Sequence, residues 1–379
     1  MHVTLHLTSD CNMACDYCYV DRSHIRTMTR EAARRAVKMA SGLTAPGDST
    51  GVIFFGGEPL LHKELIFDTI AYAGSIERAA GKRFHFKVTT NGLLLDEAFI
   101  QKAKQANLFI ALSMDGVELA HDAHRVDTGG LGTYARVEAN ARLLLREFPY
   151  APALMTVNPD TVSYFCDSVK HLYKLGFRYI ICSLNWAACW ADEDMVALER
   201  QYRRLSDFYY ELTMREEKFY LSPFEVKISS HVNRRTYKRE RCELGRKQIS
   251  VVPDGILYPC VQFVGDPSFA IGDVAGGIDE ARREALYDQN EAEKASCAGC
   301  AVSARCNHWC ACMNRQATGS IEQVSPVLCA HERMLLPIAD RLAAKLYRKR
   351  NAMFIQKHYN DFYPIISLAE DRAGQEPLV

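Results

Sequence analysis

Cys11, Cys15 and Cys18 stand four and three residues apart. Three thiolates at that spacing can hold three irons of a [4Fe–4S] cube and leave the fourth iron without a protein ligand. A cluster that only carries electrons takes four thiolates, so the incomplete set points to an iron that binds something else. A zinc knuckle is the competing use of three crowded cysteines. The chain holds fourteen cysteines in all, eight of them between Cys242 and Cys329. Cys166, Cys182 and Cys189 are scattered and read as small hydrophobes. No signal peptide and no run of about 18 apolar residues is present, which places the protein in the cytoplasm as an expectation. In a reducing compartment, metal ligation or catalysis explains so many cysteines better than a disulfide framework does.

The hydrophobic pattern tells what must position these thiolates. His2–Leu7, Gly51–Phe55, Phe84–Val88, Leu108–Ser113, Ala153–Val157 and Tyr179–Leu184 are strand-length apolar runs. Helical patterns separate them: Thr29–Ala40 with Thr29 as cap, His62–Ala80, Asp96–Gln105, Thr133–Arg146 and Val162–Leu175. Six such units in roughly 210 residues predict an α/β fold with parallel strands inside and helices outside. A closed barrel of eight units needs about 250 residues, so a partial (β/α)6 TIM-like barrel fits better. The cysteine loop follows the first strand, at the strand end where parallel sheets place their chemistry.

From about Phe219 the alternation stops. The stretch to Ala330 is rich in Cys and Gly, with one hairpin predicted from Ile249–Pro253 and Ile256–Pro259 around Asp254-Gly255. A segment so poor in apolar residues needs metal staples. The expected division is a barrel over 1–215, a linker over 216–235, a cysteine-rich domain over 236–335, and a C-terminal helix and tail over 336–379. Lys+Arg and Asp+Glu both total 46. That balance offers no basic field for nucleic acid and no polybasic segment for a membrane.

Cys11-x3-Cys15-x2-Cys18 with Tyr17 before the last cysteine resembles the signature of the radical SAM enzymes. In that family S-adenosylmethionine (SAM) chelates the open iron. An electron from the cluster then cleaves it to a 5′-deoxyadenosyl radical that abstracts hydrogen from substrate. Gly56-Gly57-Glu58-Pro59, after the second strand, is similar to the family's motif for the SAM amino group: glycines let carbonyls approach an ammonium, and Glu58 adds negative charge. Asn91 closes the third strand. By the same resemblance Ser113 contacts the ribose or carboxylate region of SAM, and Arg125 is a candidate partner for its carboxylate.

Cys297-x2-Cys300-x5-Cys306-x3-Cys310 with Cys329, preceded by Cys242 and Cys260, resembles the SPASM domain, which carries auxiliary clusters. The resemblance assigns Cys297, Cys300, Cys306 and Cys329 to an outer cluster and Cys242, Cys260 and Cys310 to an inner one, three [4Fe–4S] clusters in all. Cys312 could complete the inner set, but a C-x-C pair from Cys310 serves one cube poorly, so an open inner iron is expected. Sulfatase-maturing relatives have a further cysteine after the first and an aspartate base after Tyr-Pro-Cys. Here Tyr258-Pro259-Cys260 is followed by Val261.

Val261-Gln262-Phe263-Val264-Gly265 looks instead like the thioether-forming maturases of cysteine-rich ribosomal peptides. The expected reaction joins a substrate Cys to a carbon of another residue, the thiol held and deprotonated on the open iron. The implied partners are a cysteine-containing precursor peptide and a low-potential donor, flavodoxin or ferredoxin. With the barrel starting at residue 2, leader recognition is expected from a separate protein, from Trp190–Arg241, or not at all. Carbon–carbon crosslinking and sulfatase-type oxidation to formylglycine are the alternatives. A non-catalytic zinc scaffold is the reading from another class, and it leaves Gly56–Pro59 unexplained.

Overall fold

A chain that alternates buried apolar strands with one-faced helices has to stack its strands in parallel and cover them. The computed structural model describes residues 1–232 and 242–373 and has that architecture. The strands are β1 (His2–His6), β2 (Ser49–Phe55), β3 (Arg83–Thr90), β4 (Leu108–Ser113), β5 (Pro152–Val157), β6 (Tyr179–Leu184), β7 (Tyr220–Leu221), β8 (Gln248–Val251) and β9 (Leu257–Tyr258). They form one sheet in the order β7-β6-β5-β4-β3-β2-β1-β8-β9. All neighbours are parallel except the β8–β9 hairpin. The sheet stays open, with β7 and β9 at its edges.

The helices between strands are α1 (Arg30–Leu43), α2 (Lys63–Ala80), α3 (Glu97–Gln105), the short α4 (Glu118–Asp122), α5 (Tyr134–Glu147) and α6 (Phe165–Leu175). Their starts follow local chemistry. Thr29 accepts from the Ala32 N–H at 3.1 Å and Asp96 from the Phe99 N–H at 2.7 Å, each satisfying a donor that the first helical turn leaves open. Val3, Leu5, Val52, Phe54, Val88, Ile110 and Ile180 are fully buried and make the core between sheet and helices.

Two expectations need correction. The segment read as a linker over 216–235 carries β7 and α8 (Ser222–Val232) in its described part. Phe224 and Ile228 of α8 are fully buried, so the sequence there is an element with its own core face. Residues 233–241 lie outside the described residues. The hairpin also belongs to the barrel's sheet, not to a separate module. β8 lies parallel to β1, with Val3 opposite Ile249 and Leu5 opposite Val251. Ile249 and Val251 are fully buried and need cover, and β1 offers an unpaired edge.

Beyond β6 run α7 (Asp192–Met214), α9 (Glu280–Glu291), α10 (Ala311–Thr318), α11 (Pro326–Arg348), α12 (Ala352–Tyr359) and α13 (Tyr363–Ala373). α11 packs on α7 and α8. There Lys227 and Glu332 form a fully buried ion pair at 2.6 Å. Among the described residues no helix is long and apolar enough to cross a membrane.

Candidate active site

The loop after β1 is held from three sides. Its backbone bonds the β2 exit, where the N–H groups of Gly57 and Glu58 donate to the carbonyls of Thr8 and Asp10 at 2.8 Å each. A Cβ on Gly56 or Gly57 would overlap those same carbonyls, and Gly56 has φ +130°, a backbone that side chains resist. The glycines therefore serve first to let the β2 turn close on the cysteine loop. Asp10 caps the loop by accepting from the Cys11 N–H at 2.8 Å.

Glu58 departs from its expected place. Its side chain is fully buried and accepts from the Leu60 N–H (2.9 Å), the Thr90 hydroxyl (2.7 Å) and the Asn91 N–H (2.8 Å). Burial lifts its pKa to about 7 against the pull of those three donors. The carboxylate thus ties the β2 turn to the end of β3, because its donors surround it on the protein side. Asn91 gains its position from that bond. Its amide donates to Asn12 Oδ1 at 2.7 Å and lies 3.6 Å from the Cys11 sulfur.

On the far side stands a pair that sequence reasoning half missed. Arg125 Nε donates to Asp115 Oδ2 at 2.8 Å, and the Tyr17 hydroxyl donates to the same oxygen at 2.6 Å. Asp115 Oδ1 accepts from the Thr156 N–H at 2.9 Å. Burial works against the charge on Arg125, but Asp115 and Tyr17 more than offset it, so the guanidinium stays protonated. Among the described residues nothing accepts from its Nη groups. Asp115 was within sight, two residues after Ser113 in Leu112–Gly116, but no spacing rule marked it. Ser113 ends β4 half-buried. His124 pins the loop further, bonding Asp16 at 2.9 Å and Asp160 at 3.1 Å.

Burial pushes the Cys11 thiol up to about 11 and raises Cys15 as well, with Arg125 pulling Cys15 back. Cys18 is exposed. Buried thiols of this kind become thiolates only against a cation, and iron is a soft, fitting one. The donor set therefore suits a three-thiolate cluster.

The C-terminal cysteines fall into two groups. Cys329 lies in the field of Cys297 and Cys300, and Cys306 in that of Cys329. Cys242 lies in the field of Cys310 and Cys260. Cys312, left outside both sets by the spacing argument, sits 3.3 Å from the Cys310 sulfur and within hydrogen-bonding reach of Cys260. Tyr19 lies within electrostatic reach of Cys18 as well as of Cys260 and Cys312, so the inner group reaches towards the N-terminal loop. All fourteen cysteines are free thiols, Cys166 buried and Cys189 exposed. Among the described residues no three His, Cys, Asp or Glu side chains converge on a single-ion site.

Cys182 is more than a core residue. It is half-buried and lines a cavity of about 350 Å³ at the end of β6, with Trp186, Tyr202, Ser222, Asn307 and His331. The Tyr202 hydroxyl bonds His331 Nε2 at 2.8 Å, and the buried Nδ1 has no partner among the described residues.

A profile described as the Radical SAM superfamily matches residues 5–178. The cysteine-type anaerobic sulfatase-maturating enzyme of Clostridium perfringens is 23% identical over 307 residues, 75% of this chain and 79% of that enzyme. An uncharacterized protein of Methanocaldococcus jannaschii is 25% identical over 179 residues, covering 47% of this chain and 60% of that protein. Native anSMEcpe with bound AdoMet superposes with a TM-score of 0.79 at 19% identity, over 92% of this chain and 99% of that one. Streptococcus suis SuiB bound to precursor peptide SuiA gives 0.61 at 13% identity, over 86% and 75%. At these identities the structural likeness speaks for the fold, a radical SAM partial barrel.

Proposed function

Because residues 5–178 match the model of the Radical SAM superfamily, we propose that this chain is a SAM-dependent enzyme that modifies a residue of a peptide or protein by hydrogen abstraction. The observation that carries the reading is one arrangement at the strand ends. Asn91 lies against Cys11, and Arg125 acts on Cys15 from a seat held by Asp115. With SAM and the cluster of Cys11, Cys15 and Cys18 bound, the chemistry supplied is reductive cleavage to a 5′-deoxyadenosyl radical.

The chain's own residues do the positioning. Arg125 keeps its Nη groups for the SAM carboxylate, while Asp115 and Tyr17 hold its angle. Gly56 and Gly57 keep the β2 turn flush with the loop, with backbone available to the SAM ammonium, and Pro59 starts the turn that follows. Ser113 closes the site towards the ribose. The cavity of Cys182, Tyr202 and His331 takes the substrate residue or its neighbour. Cys297, Cys300, Cys306 and Cys329 would hold an outer auxiliary cluster and Cys242, Cys260 and Cys310 an inner one, and such clusters would supply electron transfer to or from the substrate. A flavodoxin or ferredoxin is the donor.

Sulfatase-type oxidation of a Cys or Ser is the branch that the relatives favour. A second reading, thioether crosslinking of a cysteine-rich precursor peptide, is kept by one observation: Val261 stands where that branch carries its aspartate base. The test is anaerobic incubation of the iron-reconstituted protein with SAM, dithionite and either a sulfatase-motif peptide or a cysteine-rich peptide. Formation of 5′-deoxyadenosine with an aldehyde that traps hydrazine supports oxidation, while loss of a thiol without an aldehyde supports the crosslink. SAM left uncleaved with every peptide and with none would overturn both.

A further inference from the structure

The sequence pattern leaves the inner cysteine group one ligand short, with Cys242, Cys260 and Cys310 against the four irons of a cube. A C-x-C pair looked unsuited to fill the gap because two thiols so close along the chain serve one cube poorly. The structure removes that objection. Cys310 is the N-cap of α10, and Cys312 is the second residue of that helix. The turn from cap to helix brings both sulfurs to one side, 3.3 Å apart. Cys312 also reaches across to Cys260, which precedes the short turn Val261–Phe263. Cys242 lies within the field of Cys260 and Cys310.

Cys310 and Cys312 thus hold their sulfurs in contact at the start of one helix, with Cys312 within hydrogen-bonding reach of Cys260. Sulfurs gathered this closely can be shared by a cationic cluster, and coordination removes a thiol proton outright. We propose that Cys312 is the fourth protein ligand of the inner auxiliary cluster, which is therefore saturated by Cys242, Cys260, Cys310 and Cys312. This rests on the auxiliary-cluster reading above and sharpens it: a saturated cluster moves electrons and has no iron to offer a substrate thiol.

The test uses the full chain carrying C11A, C15A and C18A, so that only auxiliary clusters load, with and without C312A. Both proteins are reconstituted anaerobically, reduced with dithionite, and titrated with N-acetylcysteine while the EPR spectrum is followed. The expected result is about eight irons per chain for two cubes, a spectrum unmoved by the thiol when Cys312 is present, and new g-values on thiol addition in C312A. Peptide mapping after iodoacetamide supplies a readout without that substitution. In the loaded native chain Cys312 should resist alkylation while exposed Cys189 is labelled, and chelation of iron should expose Cys312. If the thiol shifts the spectrum equally with Cys312 in place, or if Cys312 is alkylated as readily as Cys189 in the loaded protein, the assignment is wrong. A triple variant that takes up no iron at all overturns the auxiliary clusters themselves and this inference with them, whereas loaded clusters whose spectrum the thiol leaves unmoved in C312A as well overturn the inference alone.

Discussion

Two carboxylates near the cysteine loop show how far environment outruns residue type. Asp115 is shared by Arg125, Tyr17 and the Thr156 N–H. Glu58 is buried without a cation in contact, and its pKa rises from 4.5 to about 7. The folded state therefore holds that proton more tightly than the unfolded chain. Its contribution to stability is complete below pH 4.5 and is lost as pH rises through about 7. Integrated over that window, the loss is on the order of 3 kcal/mol. Urea titrations across the window should show stability falling with pH in the native chain and a flatter profile in Glu58→Gln, which carries no proton to lose. At Arg125 the expected outcome is kinetic. A hydrogen bond to a charged group is worth about 1.5–3 kcal/mol, and lysine lacks the Nε that meets Asp115. Arg125→Lys should therefore slow 5′-deoxyadenosine formation roughly 10- to 100-fold, measured at saturating dithionite, with the iron content unchanged.

At the scale of elements, the molecule depends on α8 and α11 to bring the cysteine-rich segment onto the barrel. The Lys227–Glu332 pair joins these helices with both side chains buried. Lys227 also donates to the Arg305 carbonyl at 3.3 Å, one residue before Cys306. Removing one member of a buried pair strands the other and typically costs about 3–5 kcal/mol, whereas replacing both by apolar residues of similar volume is often neutral. Lys227→Met should lower the unfolding midpoint markedly, and Lys227→Met with Glu332→Leu should restore most of it in the same denaturant titration. A double variant as unstable as the single one would mean that the Arg305 contact, not the pair, holds the junction. The predicted linker failed at this point. Ser222 and Pro223 open a helix whose buried face shows only once α11 lies against it.

For the whole molecule the question is how the two cysteine regions work together. The β8–β9 hairpin adds to the edge of β1, so the strand that leads into Cys11 and the strand that leads towards Cys260 are neighbours in one sheet. Cys15→Ala should therefore abolish SAM cleavage and remove about four of twelve irons per chain. Cys260→Ala should leave peptide-independent SAM cleavage intact while product formation is lost. Iron analysis and chromatography of 5′-deoxyadenosine check both. A Cys260→Ala protein that still makes product would detach the inner group from the reaction.

The thiol spacing, the alternation of apolar runs and helical faces, and the cap Thr29 are local properties, and they were readable because each depends on residues a few positions apart. So were the partial barrel and the loop on which its chemistry sits. What could not be read depends on contacts between residues distant in the chain. Glu58 turning inward to Thr90 and Asn91, Asp115 as the seat of Arg125, and the hairpin joined to β1 are all of that kind. Cys312 is the sharpest case. Its distance from Cys310 along the chain argued against a shared site, and a helix cap reversed that, because the direction of a side chain follows the backbone fold and not the residue count.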